Sequence, residues 1–230
     1  MNILIATIRE WNIHNANIFK GRYAEWNVKL IFNKDDLTIE EVRRFKPDFI
    51  MFPHWSYYIP KDIYENYKCI VFHPSELPYG RGGSPVQNLI KMGIEKTYIS
   101  AISVVADMDA GDIYLKRELS LLGRGEEIFI RMSKIVFFDM IPAIIENNII
   151  PIPQSGEIVE FKRRKPDQSV LPVQGELGAL FDHIRMLDAD GYPKAFIEYG
   201  DFRLEFTRAS LNIDGINADV KIVKKNMLGD

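Results

Sequence analysis

Asn2 to Ile8 (NILIATI) is an apolar, largely β-branched run, the pattern of a strand buried on both faces. The polar and aromatic stretch REWNIHNANIF follows it in the position of a βα loop and helix start. Val28 to Phe32 (VKLIF), Phe49 to Phe52 (FIMF) and Cys69 to Phe72 (CIVF) repeat the strand pattern. Between the second and third runs, Thr38 to Phe45 reads as a short helix. Thr38 caps it, Glu41 completes a capping box and Lys46-Pro47 ends it. Strands alternating with helices predict βαβ units, hence an α/β fold with a mainly parallel sheet and ligands at the carboxyl ends of its strands.

Ser84-Pro85 predicts another helix start, and Gly93 its end. Two strand-like runs, Ile99 to Ala106 and Ile113 to Leu119, lead to a long amphipathic helix within Glu126 to Asn148 that Pro142 should kink. A Rossmann-like domain is therefore expected over residues 1–150. Prolines at 151, 153, 166 and 172, with the basic cluster Lys162-Arg163-Arg164-Lys165, mark residues 151–175 as an extended linker that packs little. Residues 176–230 open with a short helix around Leu180 to Leu187. The segments AFIEY, RLEFTRA and ADVKIV, split by Gly200 and Gly215, then predict a small C-terminal β-subdomain. Its apolar face could support a homodimer.

Composition narrows the function classes. With 230 residues, 47% hydrophobic and 27% charged, the chain is ordinary globular material that needs no disulfide or metal staple. Its net charge of -3 argues against a large anionic partner, so no nucleic acid is expected. The single cysteine, Cys69, rules out an internal disulfide and any multi-cysteine metal site, and no metal is expected. No basic leader or membrane-length apolar run is present, which points to a cytoplasmic protein without membrane contact. After the first strand, Ala6-Thr7-Ile8-Arg9-Glu10 lacks the GxGxxG pattern, so dinucleotide binding loses its main support.

Two stretches carry candidate chemistry. His73-Pro-Ser-Glu-Leu-Pro78 leaves the fourth strand, and Gly80-Arg81-Gly82-Gly83-Ser84-Pro85 leads into a helix, where backbone N-H groups can hold an anion or a developing oxyanion. Asp109-Ala110-Gly111-Asp112 is a tight turn, and Asp109 lies 36 residues beyond His73. A carboxylate beside a histidine fixes the tautomer and supports the imidazolium, so such a pair suits removing a proton from an attacking nucleophile.

In combination these stretches resemble the folate-dependent formyltransferase family, which includes methionyl-tRNA, glycinamide ribonucleotide and nucleotide-sugar formyltransferases. The resemblance covers roughly residues 1–150. His73-Pro-Ser-Glu-Leu-Pro78 is similar to the family's His-x-Ser-Leu-Leu-Pro. Arg81-Gly82 and Pro85-x-Gln87 follow as in the family, and Asp109-Ala-Gly-Asp112 is similar to its Asp-Thr-Gly-Asp loop. It implies 10-formyltetrahydrofolate as the formyl donor, His73 as catalytic histidine and Asp109 as catalytic aspartate. Tyr57, Tyr58, Arg81, Gly82, Gly83, Val105 and Asp107 are implied to line the folate pocket. The family's asparagine in Asn-x-His is Val71 here. His54, just beyond the third strand, is the replacement oxyanion donor we expect, together with backbone N-H groups after Arg81, with Ser75 and Gln87 as weaker substitutes.

The C-terminal segment IRMLDADGYPKAFIEYGDFRLEFTRA loosely resembles the small module that follows the catalytic domain in methionyl-tRNA and sugar formyltransferases. Phe161-Lys-Arg-Arg-Lys-Pro and the run His-Pro-Ser-Glu-Leu-Pro-Tyr-Gly-Arg-Gly-Gly-Ser-Pro are similar to sugar formyltransferases, the latter to those of nonulosonic (pseudaminic-type) acid pathways. The expected acceptor is therefore the amine of a nucleotide-linked sugar, a UDP-4-amino-4,6-dideoxy-N-acetylhexosamine. Arg9, Trp11, Asn12, His14, Ser75, Arg163 and Arg164 are its expected contacts, although Trp11 to Asn15 can equally cap the helix that follows. The alternatives are a methionyl-tRNA formyltransferase, or a protein that binds nucleotide sugar or folate without catalysis.

Overall fold

The computed structural model describes residues 1–225. In chain order its strands and helices are β1 (Asn2–Ala6), α1 (Glu10–Arg22), β2 (Asn27–Ile31), α2 (Ile39–Phe45), β3 (Phe49–Phe52), α3 (Lys61–Tyr64), β4 (Cys69–His73), β5 (Tyr79–Gly82), α4 (Pro85–Lys91), β6 (Lys96–Ser103), β7 (Ile113–Ser120), α5 (Gly125–Ile135), α6 (Ile141–Glu146), β8 (Val159–Phe161), α7 (Leu177–Arg185), β9 (Ala195–Tyr199), β10 (Phe202–Leu211) and β11 (Ile216–Lys224). They form two compact units. One comprises residues 1–82, 97–119 and 129–160; the other comprises 83–96, 120–128 and 161 onward.

The first unit holds a sheet ordered β2-β1-β3-β4-β6-β7. β1 is parallel to β2 and β3, and β3 is parallel to β4, whereas β6 runs antiparallel to β4. The sheet is thus the expected mainly parallel one. Ile3, Leu4, Ile5 and Ala6 of β1 have no exposed surface, as a central strand covered on both faces requires. Leu4, Ala6, Ile50, Phe52 and Cys69 pack with Val42 of α2 and Ile63 of α3. Burial pushes the Cys69 thiol up to about 12.

Three local features differ from the sequence expectation. Trp11 to Asn15 are helical rather than loop. Arg9 takes φ 76 and turns the chain within one residue, and its carbonyl accepts from Asn12 and Ile13 N-H, so α1 begins at once. The long helix is broken by a π-helical turn, Val136–Met140, immediately before α6. Pro142 offers no N-H and its ring crowds the carbonyl four residues back, so the wider turn relieves the clash ahead of it.

Residues 151–175 do pack. Ile152, between Pro151 and Pro153, exchanges two backbone hydrogen bonds with Ile113, at 2.8 and 3.0 Å. β8 pairs with β5, Phe161 and Ser169 are buried, and Leu171 N-H donates to Phe196 O at 2.8 Å. A proline removes only its own donor, so the residues between prolines remain free to pair.

In the second unit β11, β10 and β9 form an antiparallel sheet in that order, with a bulge between Thr207 and Ser210 where Arg208 takes φ 51. α7 packs on β10 and begins at Leu177, three residues ahead of the expected Leu180. Buried Arg185 donates through Nη1 to Leu121 O at 2.6 Å and Gly123 O at 2.9 Å. Residues 226–230 of the expected subdomain lie outside the described residues. Among the described residues no helix is long and apolar enough to cross a membrane, and no cluster of His, Cys, Asp and Glu could hold a metal ion.

Candidate active site

β4 ends at His73, and the alternation of a strand places Val71 two residues earlier on the same face. The loop beyond is fixed by buried polar contacts. Ser100 Oγ donates to Ser75 O at 2.7 Å, and Ser75 Oγ donates to Gly80 O at 3.2 Å. Ser75, expected as a substrate contact, is fully buried and holds this turn instead.

Both ring nitrogens of the buried His73 face oxygen atoms. Nε2 lies 2.8 Å from Gly80 O, and Nδ1 lies 3.4 Å from Asp109 Oδ2. A neutral imidazole has one N-H and can serve only one of these acceptors, whereas an imidazolium serves both. The surroundings therefore match the ring after it has taken up a proton. Asp109 Oδ2 is itself held by Gly82 N-H at 2.9 Å.

Asp109 adopts φ 53, a left-handed conformation uncommon outside glycine. Gln154 clasps this turn: its Nε2 donates to Asp109 O at 2.7 Å and Gly111 O at 2.9 Å. Its Oε1 accepts from Arg81 Nε at 3.1 Å and a terminal Arg81 nitrogen at 2.8 Å. Gly111 sits so close to Ser103 O that a Cβ would collide with it. Gln154 belongs to no sequence motif, since a lone glutamine in a proline-rich loop carries none, and Arg81, expected at the folate pocket, takes part in this clasp.

His54 stands two residues beyond β3, and because Phe52 pairs with Val71, β3 and β4 end side by side. Its ring meets Trp11 edge-on at 5.9 Å and Phe129 at 5.1 Å between centroids. Burial, and secondarily the positive charge of Arg9, lower its pKa to about 4. The imidazole is thus neutral at physiological pH. Asn12, Pro53, Phe129, Met132, Ser133 and Val136 share a small cavity with it.

The remaining expected residues fall into two groups. Trp11 is buried and stacked on Phe129, Asn12 Nδ2 donates to Ile8 O at 3.1 Å, and His14 is exposed. Tyr57, Tyr58, Val105 and Asp107 are exposed, and so is Arg163. Arg164 turns inward, its terminal nitrogen donating to Gln168 O at 2.6 Å while burial lowers its pKa. The expected oxyanion donors after Arg81 are already used, Gly82 N-H by Asp109 and Gly83 N-H by Phe161 O at 3.0 Å. Gln87, the weaker substitute, is buried within α4, and Val71 packs against the apolar core cluster.

Comparison with known proteins identifies the family. Residues 22–127 match the model described as Formyl transferase, and residues 166–223 match the one described as Methionyl-tRNA formyltransferase, C-terminal domain. A methionyl-tRNA formyltransferase of Francisella philomiragia subsp. philomiragia is 28% identical over 208 residues, covering 85% of this chain and 65% of the relative. The chain spans about half to two thirds of the length of the curated relatives it matches. The solved methionyl-tRNA formyltransferase from Clostridium thermocellum is 53% identical with a TM-score of 0.96, over 97% of this chain and 99% of that one. A sugar N-formyltransferase from Shewanella sp. is only 13% identical at a TM-score of 0.71, over 93% of this chain and 99% of that one, a likeness of fold alone. These findings overturn the expected nucleotide-sugar acceptor and the expected absence of a nucleic-acid partner, because the substantial identity is to proteins named for tRNA. With more than half its residues shared with the Clostridium protein along almost the whole of both, this chain belongs to the formyltransferase family.

Proposed function

We propose that this chain transfers the formyl group of 10-formyltetrahydrofolate to the amino group of methionyl-tRNA. The observation that carries this reading is the 53% identity to a methionyl-tRNA formyltransferase over nearly the full length of both chains. The His73 and Asp109 pair fits the chemistry. The folate supplies an activated formyl carbon, and the exposed rings of Tyr57 and Tyr58 beyond β3 offer flat surfaces of the kind a pterin stacks on.

The amine reacts neutral, adding to the formyl carbon to give an oxyanion, whose collapse breaks the bond to the folate nitrogen. His73 takes the proton that the attacking nitrogen sheds, through Nε2 once that atom leaves Gly80 O. Asp109, anchored by Gly82 N-H, keeps the other proton on Nδ1 and stabilises the imidazolium. The proton then passes to the departing tetrahydrofolate nitrogen. At the oxyanion, where Val71 has nothing to donate, we place the N-H of neutral His54.

The test incubates the protein with 10-formyltetrahydrofolate and charged initiator methionyl-tRNA, and weighs the amino acid released from the tRNA. Wild type should add one formyl group, and His73→Ala and Asp109→Asn should each lose about 100-fold or more in rate while keeping the fold. His54→Ala should lose about 100- to 1000-fold and His54→Asn should recover part of it. No formylation by the wild type overturns the substrate assignment, and near-wild-type rates in both His73→Ala and Asp109→Asn overturn the mechanism.

A further inference from the structure

Two side chains share one carbonyl oxygen beside the candidate base. His73 Nε2 lies 2.8 Å from Gly80 O, and Ser75 Oγ donates to the same oxygen at 3.2 Å. His73, Ser75 and Gly80 are all buried, so this sharing takes place away from bulk water. Gly80 takes φ 83, a conformation that residues with a side chain resist. Ser75 N-H donates to His73 O and Leu77 N-H to Ser75 O, both at 3.0 Å, and Ser100 Oγ donates to Ser75 O at 2.7 Å. The acceptor and both donors are thus held in place by the loop's own bonds.

A carbonyl oxygen has two lone pairs, but donors on it draw on one pool of electron density, so each weakens the other's bond. That competition bears on catalysis, because a ring nitrogen whose proton points at Gly80 O has no lone pair to offer an amine. His73 is a base at Nε2 only when that proton has passed to water and the ring keeps the other on Nδ1, 3.4 Å from Asp109 Oδ2. Whatever loosens the grip of Gly80 O favours that form. The other charged groups of the loop are engaged elsewhere: Lys116 of β7 donates to Leu77 O at 2.8 Å and stands 3.9 Å from Glu76, and Arg81 donates to Gln154. His54, beyond the neighbouring β3, is uncharged at physiological pH, and Ser100, which β6 sets opposite His73, carries no charge.

We propose that Ser75 is a positioning residue for His73: its hydroxyl occupies Gly80 O, so that His73 Nε2 is held lightly enough to leave for the substrate. When the ring leaves, the buried carbonyl keeps a donor, and the cost of stripping it is avoided. The inference rests on His73 as the base of the reaction proposed above. It gives a direction that a purely structural role does not. A serine that only stitched the loop would, when lost, let His73 move more freely, whereas a serine that competes for Gly80 O would, when lost, leave His73 bound more firmly.

The test replaces Ser75 by alanine in the full chain, labels histidine with nitrogen-15 and follows the Nε2 proton of His73, identified by its loss in His73→Gln. That proton should exchange with water about 3- to 10-fold more slowly in Ser75→Ala than in wild type. The kcat for formyl transfer should fall by a similar factor, with KM for 10-formyltetrahydrofolate little changed. Ser75→Cys, whose thiol is a weak donor of nearly the same shape, should lie between the two in both measurements. Exchange that is faster or unchanged in both variants overturns the proposal. Slower exchange with kcat unchanged upholds the competition for Gly80 O and overturns His73 as the base.

Discussion

Asp109 keeps its carboxylate on His73 while its own backbone is held left-handed, and that backbone is held by a neutral amide 45 residues further along the chain, Gln154. Gln154→Ala frees the turn and leaves Arg81 without that acceptor, so turnover should fall about 10- to 100-fold with KM for the acceptor little changed. Steady-state kinetics beside a melting curve would distinguish lost positioning from lost folding. His54 makes a second prediction. Its pKa is near 4 in the fold and near 6.5 in the unfolded chain, so the unfolded state binds the extra proton as pH falls below 6.5. Stability from this residue is complete above pH 6.5 and is lost as pH drops through about 4, by up to about 3 kcal/mol. Urea unfolding at pH 7 and pH 4.5 should show that loss in the wild type and a smaller one in His54→Phe.

At the scale of elements, strands were easy to read and their connections were not. β1, β3 and β4 announce themselves because burial on both faces demands unbroken apolar runs. Thr38 fixes α2 through a cap that acts within three residues, Thr38 Oγ accepting from Glu41 N-H at 3.2 Å. His73 and Asp109 were legible because their turns carry distinctive local sequence. The start of α1 was hidden because it depends on a left-handed Arg9, which sequence disfavours, and the packing of 151–175 was hidden because its bonds go to residues such as Ile113 far along the chain. Gly111 shows the same distinction. Its turn is visible in sequence, yet the reason only glycine fits is the approach of Ser103 O. Gly111→Ala should therefore displace the Asp109 turn and abolish transfer, with a circular-dichroism spectrum close to wild type, whereas Gly21→Ala, with open space around it, should leave activity unchanged.

Over the whole molecule, the net charge of -3 misled because attraction to a polyanion depends on where cations stand, not on their sum. Lys162, Arg163 and Lys165 are adjacent and exposed while Arg164 between them turns inward. If these three meet phosphates, replacing Arg163 and Lys165 by alanine should weaken tRNA binding and lower the slope of log affinity against log salt by about one each, measured by filter binding across a salt series. An unchanged slope would show that these side chains do not meet phosphates.

The position of Gln154 also separates scaffold from site in the order of synthesis. The last strand of the six-stranded sheet ends at Ser120, yet the amide that clasps the Asp109 turn is residue 154, reached only after α5 and α6 have been made. A nascent chain can therefore assemble its sheet on the ribosome before its Asp109 turn is clasped, and a chain halted before Gln154 would carry that turn held at its carboxylate alone.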